Sequence, residues 1–155
     1  METDDTIATD AWPAGPPAVG DRARMQRQVT TRDIEAFSEI SGDFNPLHYD
    51  DAYATASRFG EIVVQGGRST AILNAVVAER LPGPGTVFLN LSVDFRAPVR
   101  PGDVITGEIE VLKVRHDKPI TTCRVVVTRD DGVTAVEGTA VTYTAPPPLR
   151  RSPPS

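Results

Sequence analysis

The strongest constraint on how this chain folds is a helical stretch that leaves little room for water around it. From Ser69 to Arg80 the residues read as a helix, yet Ala71-Ile72-Leu73 and Ala75-Val76-Val77-Ala78 give it almost no polar face. Such a helix must be buried, so other elements have to cover it. Leu81-Pro82-Gly83-Pro84-Gly85 ends it, because proline lacks the N–H that a further turn requires. Beyond that point the hydrophobic period changes to two. Val87, Leu89, Leu91, Val93 and Phe95 fall on one side, and Phe88, Asn90, Ser92, Asp94 and Arg96 on the other, which predicts a half-buried strand. Pro98 and Pro101-Gly102-Asp103 mark a turn, Val104 to Val114 a second strand and Ile120 to Thr128 a third. Arg129-Asp130-Asp131-Gly132 reads as a hairpin turn into a last strand, Val133 to Thr144, since Asp-Gly tolerates positive φ. With a further strand near Arg22 to Val29, the economical solution is an α+β fold in which an antiparallel sheet wraps round one apolar helix.

A chain of 155 residues fits one domain. Prolines crowd both ends, with Pro13, Pro16 and Pro17 near the start and Pro146-Pro147-Pro148 near the finish. The expected organisation is a disordered N-terminal tail over 1–18, a domain over 19–145 and a Pro-rich tail over 146–155. No segment approaches the roughly 20 apolar residues of a spanning helix. Met1-Glu2-Thr3-Asp4-Asp5 is acidic where a signal peptide is basic and then apolar, so the expected location is the cytoplasm. A formal charge of -5 argues against a nucleic-acid surface. The single cysteine, Cys123, excludes an intrachain disulfide and lies in a strand-like run, where it is expected to pack.

The polar chemistry concentrates upstream of the apolar helix. Thr30-Thr31-Arg32-Asp33-Ile34-Glu35 carries the signals of a helix start, with Ile34, Phe37 and Ile40 on one face. Ser41-Gly42 stops that helix, and Asp50 or Asp51 can cap a second short one carrying Tyr53, Ala56 and Phe59 and ending at Gly60. Between them runs Ser41-Gly42-Asp43-Phe44-Asn45-Pro46-Leu47-His48-Tyr49-Asp50. Gly42 and Pro46 make this segment irregular, so only a loop can bring Asp43 and His48 together. A carboxylate beside an imidazole can share a water and move its proton. From spacing alone, a turn-capping Asp43 and a capping or packing His48 are the favoured reading, which spacing cannot reverse.

The segment resembles the signature of MaoC-like, (R)-specific enoyl-CoA hydratases, whose fold is the hot-dog. The resemblance continues through Ala54, Phe59, Gly60, Gly66, Leu81-Pro82-Gly83, Phe95, Pro98-Val99 and Gly102-Asp103. It implies a single hot-dog domain with short overhanging helices, and hydration of a trans-2-enoyl thioester to an (R)-3-hydroxyacyl product. Asp43 is then the base that takes the water's proton, and His48 orients the water and helps return the proton to the α carbon. The thioester carbonyl gains charge as an enolate forms. A backbone N–H at the start of the apolar helix is the sensible stabiliser, Gly66 first and Gly67 second.

Two departures bear on the substrate. Where the family commonly has Ala-His-Gly-Met, this chain has Val64-Gln65-Gly66-Gly67, so Gln65 and Gly67 are expected to reshape the acyl pocket. A hydroxyl often found later in the helix corresponds to Asn74, expected to meet a water, the Asp43 carboxylate, the substrate or simply the sheet. No metal site is expected, since His116 is the only other histidine, and no cofactor beyond the coenzyme A of the substrate. Ser69 reads as first-turn polarity, and Arg96, Arg100, Lys113, Arg115 and Lys118 as solvated charges. The expected partners are an acyl-CoA or acyl-carrier-protein thioester and a second copy of the chain, forming a homodimer, with neither nucleic acid nor membrane. Dehydration on a carrier protein, thioester hydrolysis and a non-catalytic acyl-binding subunit of a heterodimer stay open.

Overall fold

The structure is a computed structural model and describes residues 11–147. In chain order its elements are β1 (Arg22–Gln28), α1 (Thr31–Ser41), a 3₁₀ turn (Pro46–His48), α2 (Asp51–Ala56), α3 (Gly66–Glu79), β2 (Thr86–Phe95), β3 (Val104–Val114), β4 (Ile120–Arg129) and β5 (Thr134–Thr144). The strands form one five-stranded sheet in the order β1-β3-β4-β5-β2, with every neighbouring pair antiparallel. Helix α3 packs against all five strands, as the apolar run demanded.

The burial of α3 is one-sided. Ser69, Ile72, Leu73, Val76 and Val77 are buried, and the four apolar ones join Ile105, Ile109, Val125, Val127 and Val136 of the sheet in one core. Ala71 and Asn74 on the opposite side are exposed. The expectation of an all-round buried helix therefore holds for the sheet-facing half, while the outer half of this single chain carries small side chains. Gly107 of β3 allows the close approach: a Cβ there would stand 2.8 Å from Ile72 Cγ2.

The helix starts three residues earlier than its apolar run, at Gly66 rather than Ser69. Both glycines lie inside the first turn because aromatic rings occupy the space of a side chain. A Cβ on Gly66 would be 2.9 Å from Phe95 Cε1, and one on Gly67 would overlap the ring of Phe37.

β2 departs from strict alternation. Its pairing with β5 shifts between Phe88 and Asn90, a bulge that moves the following side chains to the other face. Phe88, Leu91 and Val93 consequently pack on the core. Val87 and Leu89, expected to face inward, are 55% and 57% exposed on this edge strand. In α1, too, the inward face holds Ile34 and Ser38, while Ile40 is 83% exposed. α2 stops at Ala56 instead of running to Gly60, because Ser57 Oγ donates to the Ala54 carbonyl and accepts from the Phe59 N–H.

Part of the expected N-terminal tail, and the C-terminal tail beyond 147, lie outside the described residues. Within the described part Trp12 is buried and its indole N–H donates to the Arg115 carbonyl at 2.8 Å, so it covers one end of the domain. Cys123 is fully buried in the core, and burial pushes its thiol pKa up.

One backbone crossing has no slack. A Cβ on Gly138 of β5 would run into the Ser92 carbonyl of β2, which cannot swing aside as a side chain can. We expect Gly138→Ala to cost at least about 2 kcal/mol, read as a lowered denaturant midpoint at unchanged slope; an unchanged midpoint refutes this packing.

Candidate active site

The loop after α1 is shaped by three local devices. Gly42 ends the helix in the left-handed conformation (φ 77°), its N–H returning to the Ser38 carbonyl, which only glycine does without penalty. Asn45 Oδ1 accepts the Leu47 N–H at 3.1 Å, and Pro46 starts the 3₁₀ turn. Asp50 then caps α2, its Oδ1 accepting from the Tyr53 N–H at 3.0 Å. This sequence of caps carries the chain from Asp43 back to His48.

Asp43 and His48 do come together: Asp43 Oδ2 lies 3.6 Å from His48 Nε2. The imidazole is buried, and the carboxylate is partly open to solvent. His48 Nδ1 sits 2.6 Å from the Val63 carbonyl oxygen. A carbonyl only accepts, so Nδ1 carries the hydrogen and the neutral ring presents a bare Nε2 to Asp43. Asp43 Oδ1 is occupied by the Asn45 N–H at 3.1 Å, which leaves Oδ2 as the oxygen facing Nε2. Two acceptors at this separation cannot bond each other, but one water can donate to both. Its lone pairs then point outward, as those of a nucleophile must.

His48 lines a cavity of about 420 Å³ together with Leu47, Phe59, Val64, Gly66 and Phe95. Gly66 opens α3, so its N–H has no acceptor within the helix and is available to a ligand oxygen. Ser69, read from sequence as helix polarity, lines the same cavity. Arg58 and Arg96 also reach it, and Arg96 is paired with Glu137 and Asp94. A larger pocket of about 830 Å³, between Trp12–Pro17 and Leu81–Gly85, is lined by neither Asp43 nor His48, whereas His48 lines the smaller one.

The other expected site residues are dispersed. Gly67 packs against Phe37. Asn74 is exposed on the outer side of α3 and does not line the cavity, because eight residues of helix separate it from Gly66 by about 12 Å. Gln65 is 2% exposed; its amide nitrogen donates to the Ile34 carbonyl at 3.1 Å and to Ser38 Oγ at 3.2 Å. It therefore faces α1 and not the cavity. Among the described residues no cluster of three or more His, Cys, Asp and Glu suits a metal ion.

α1 is tied to α3 by Arg68 Nε and Asp33 Oδ2 at 3.0 Å. Partial burial alone would raise the Asp33 pKa, but the Thr30 N–H and the Arg68 guanidinium outweigh it and hold it below its ordinary value. Ser38 and the Val63 carbonyl escaped the motif. Ser38 could have been found from its spacing, four residues after Ile34 and so on the same inward face; a backbone carbonyl has no side-chain signature.

The assigned tautomer is open to measurement. Long-range ¹H–¹⁵N NMR of the neutral His48 ring should place the proton on Nδ1, and a proton on Nε2 would contradict the geometry.

The family described as MaoC like domain matches residues 16–136. The chain is 37% identical over 123 residues to an (R)-specific enoyl-CoA hydratase of Aeromonas caviae, covering 79% of this chain and 92% of that one. It is 34% identical over 105 residues to a 3-hydroxybutyryl-CoA dehydratase of Methylorubrum extorquens, covering 65% and 67%. Among solved structures, an (R)-hydratase from A. caviae superposes with a TM-score of 0.80 at 36% identity, over 85% of this chain and all of that one.

Proposed function

The chain belongs to the MaoC-like domain family, and from that premise we propose that it reversibly hydrates a trans-2-enoyl-CoA to an (R)-3-hydroxyacyl-CoA, with Asp43 and His48 activating the water. The observation that carries the assignment of roles is the pair of acceptors, Asp43 Oδ2 and His48 Nε2, 3.6 Å apart, with His48 lining a cavity that Gly66 lines as well. Water held by both acceptors directs an oxygen lone pair at C3 of the enoyl group. As the C3–O bond forms, Asp43 takes one proton and the C2–C3 π pair moves into the thioester as an enolate. The Gly66 N–H and the positive end of α3 stabilise that oxyanion. The proton then passes to C2 with His48 assisting, so both parts of water arrive on one face of the double bond. The reverse sequence is a dehydration. No cofactor enters these steps.

The carrier is coenzyme A in this reading; a carrier-protein thioester presents the same reacting atoms. Arg58 at the cavity has no carboxylate within ion-pair distance among the described residues and suits a phosphate of the carrier arm. The unpaired, buried Cys123 fits a reducing compartment, and a cytoplasmic location goes with the proposal.

The test is a crotonyl-CoA assay that follows enoyl absorbance and free thiol together. Loss of absorbance without thiol supports hydration, whereas released coenzyme A means hydrolysis and sinks the reading. Asp43→Asn and His48→Ala should each lower kcat by about 10²–10⁴-fold; either variant at the unaltered rate removes that residue from the mechanism. A parallel panel on acyl carrier protein identifies the carrier.

We also propose a homodimer. β2 is an unpaired edge that exposes Val87 and Leu89, and the open half of α3 offers a surface of small residues that a second copy can approach closely. Light scattering should give twice the chain mass, with Leu89→Lys shifting it to one; a monomeric unaltered protein refutes the dimer.

A further inference from the structure

The hydrogen bonds behind the acid–histidine pair converge on one buried hydroxyl. Ser38, 1% exposed, donates from Oγ to the Asp43 carbonyl at 2.7 Å. The same oxygen lies 2.5 Å from the Tyr49 hydroxyl and accepts from Gln65 Nε2 at 3.2 Å. The proton positions follow from which groups can only accept. The Ile34 carbonyl faces Gln65 Nε2 at 3.1 Å and only accepts, so the carboxamide must present its NH₂ here; reversed, it would set two oxygens against each other. The Asp43 carbonyl likewise only accepts, which uses the single hydrogen of Ser38. Tyr49 must then donate to Ser38 Oγ, which accepts twice and donates once, its full capacity.

Each of the three partners adjoins a different part of the catalytic apparatus. Asp43 is the base itself, Tyr49 follows His48, and Gln65 precedes Gly66. Tyr49 is further braced by stacking on Phe44, with centroids 6.0 Å apart. We propose that Ser38 is a positioning residue that locks base, histidine and oxyanion donor into one geometry, with Tyr49 and Gln65 as its auxiliaries. This rests on the hydratase reading for its kinetic consequence. It also gives Gln65 a role: the side chain holds the site from behind and leaves acyl selection to the cavity wall. Ser38, Tyr49 and Gln65 do not line the cavity, so their loss should affect the chemical step and leave binding largely intact.

The experiment compares Ser38→Ala, Tyr49→Phe and the double variant in crotonyl-CoA hydration, well below each melting temperature, alongside crystal structures of each. Ser38→Ala should lower kcat by roughly 10- to 100-fold, keep KM within about twofold, and displace Asp43 from its 3.6 Å approach to His48. Tyr49→Phe should lower kcat less, and the double variant should fall no further than Ser38→Ala, since members of one network are not additive. A merely structural serine would lower melting temperature and spare kcat. Ser38→Ala with kcat within twofold and Asp43 unmoved overturns the proposal. Should that variant not fold, Tyr49→Phe decides, because its ring is 44% exposed and tolerates the change; unaltered kcat there overturns it equally. If the unaltered protein hydrates nothing, the hydratase reading falls, and displacement of Asp43 alone decides the positioning role.

Discussion

Everything in this domain depends on how closely α3 can approach the sheet. The helix has too little polar surface to survive in water, and the sheet needs cover for its apolar face, so each supplies the burial the other lacks. Gly107 sets the spacing by giving Ile72 the room a side chain would take. Because the helix axis is fixed by that packing, its first turn is fixed as well. The Gly66 N–H can then act as a stationary electrostatic feature, which is what stabilisation of a developing oxyanion requires.

The segment over this helix start has a different physical character. Short-range caps, and not apolar burial, determine its path: left-handed Gly42, the Asn45 carboxamide and the Asp50 carboxylate. It is anchored to the core at a few polar points, among them Ser38 and the Val63 carbonyl. Its exposed aromatics, Phe44 and Tyr49, stack on each other. A rigid apolar frame thus carries a hydrogen-bonded overhang, and the acid–histidine pair belongs to the overhang while Gly66, the proposed oxyanion donor, belongs to the frame.

Most of this frame was legible in the residues. The apolar run at 69–80, the Asp-Gly hairpin and the period-two strands each express a local rule strongly enough to survive tertiary context, and the Ser41–Asp50 segment marks its pair through its resemblance to a family. What was not legible depended on non-local geometry. The β2 bulge reverses the faces of Val87 and Leu89 because of pairing with β5, which no pattern within β2 reveals. Gln65 turned toward α1 and Asn74 outward because helix phase is set by Phe37, Phe95 and the sheet. Trp12 was hidden inside a proline-rich stretch whose composition reads as tail.

The hydrogen bond between His48 Nδ1 and the Val63 carbonyl has a consequence for how such sites are inherited. The group that decides which ring nitrogen is free is part of the main chain, so every amino acid at position 63 provides it. Substitution can erode the packing of Val63 but cannot delete the acceptor. Proton placement in this histidine therefore depends on the path of the main chain at Val63 and not on the identity of the side chain there.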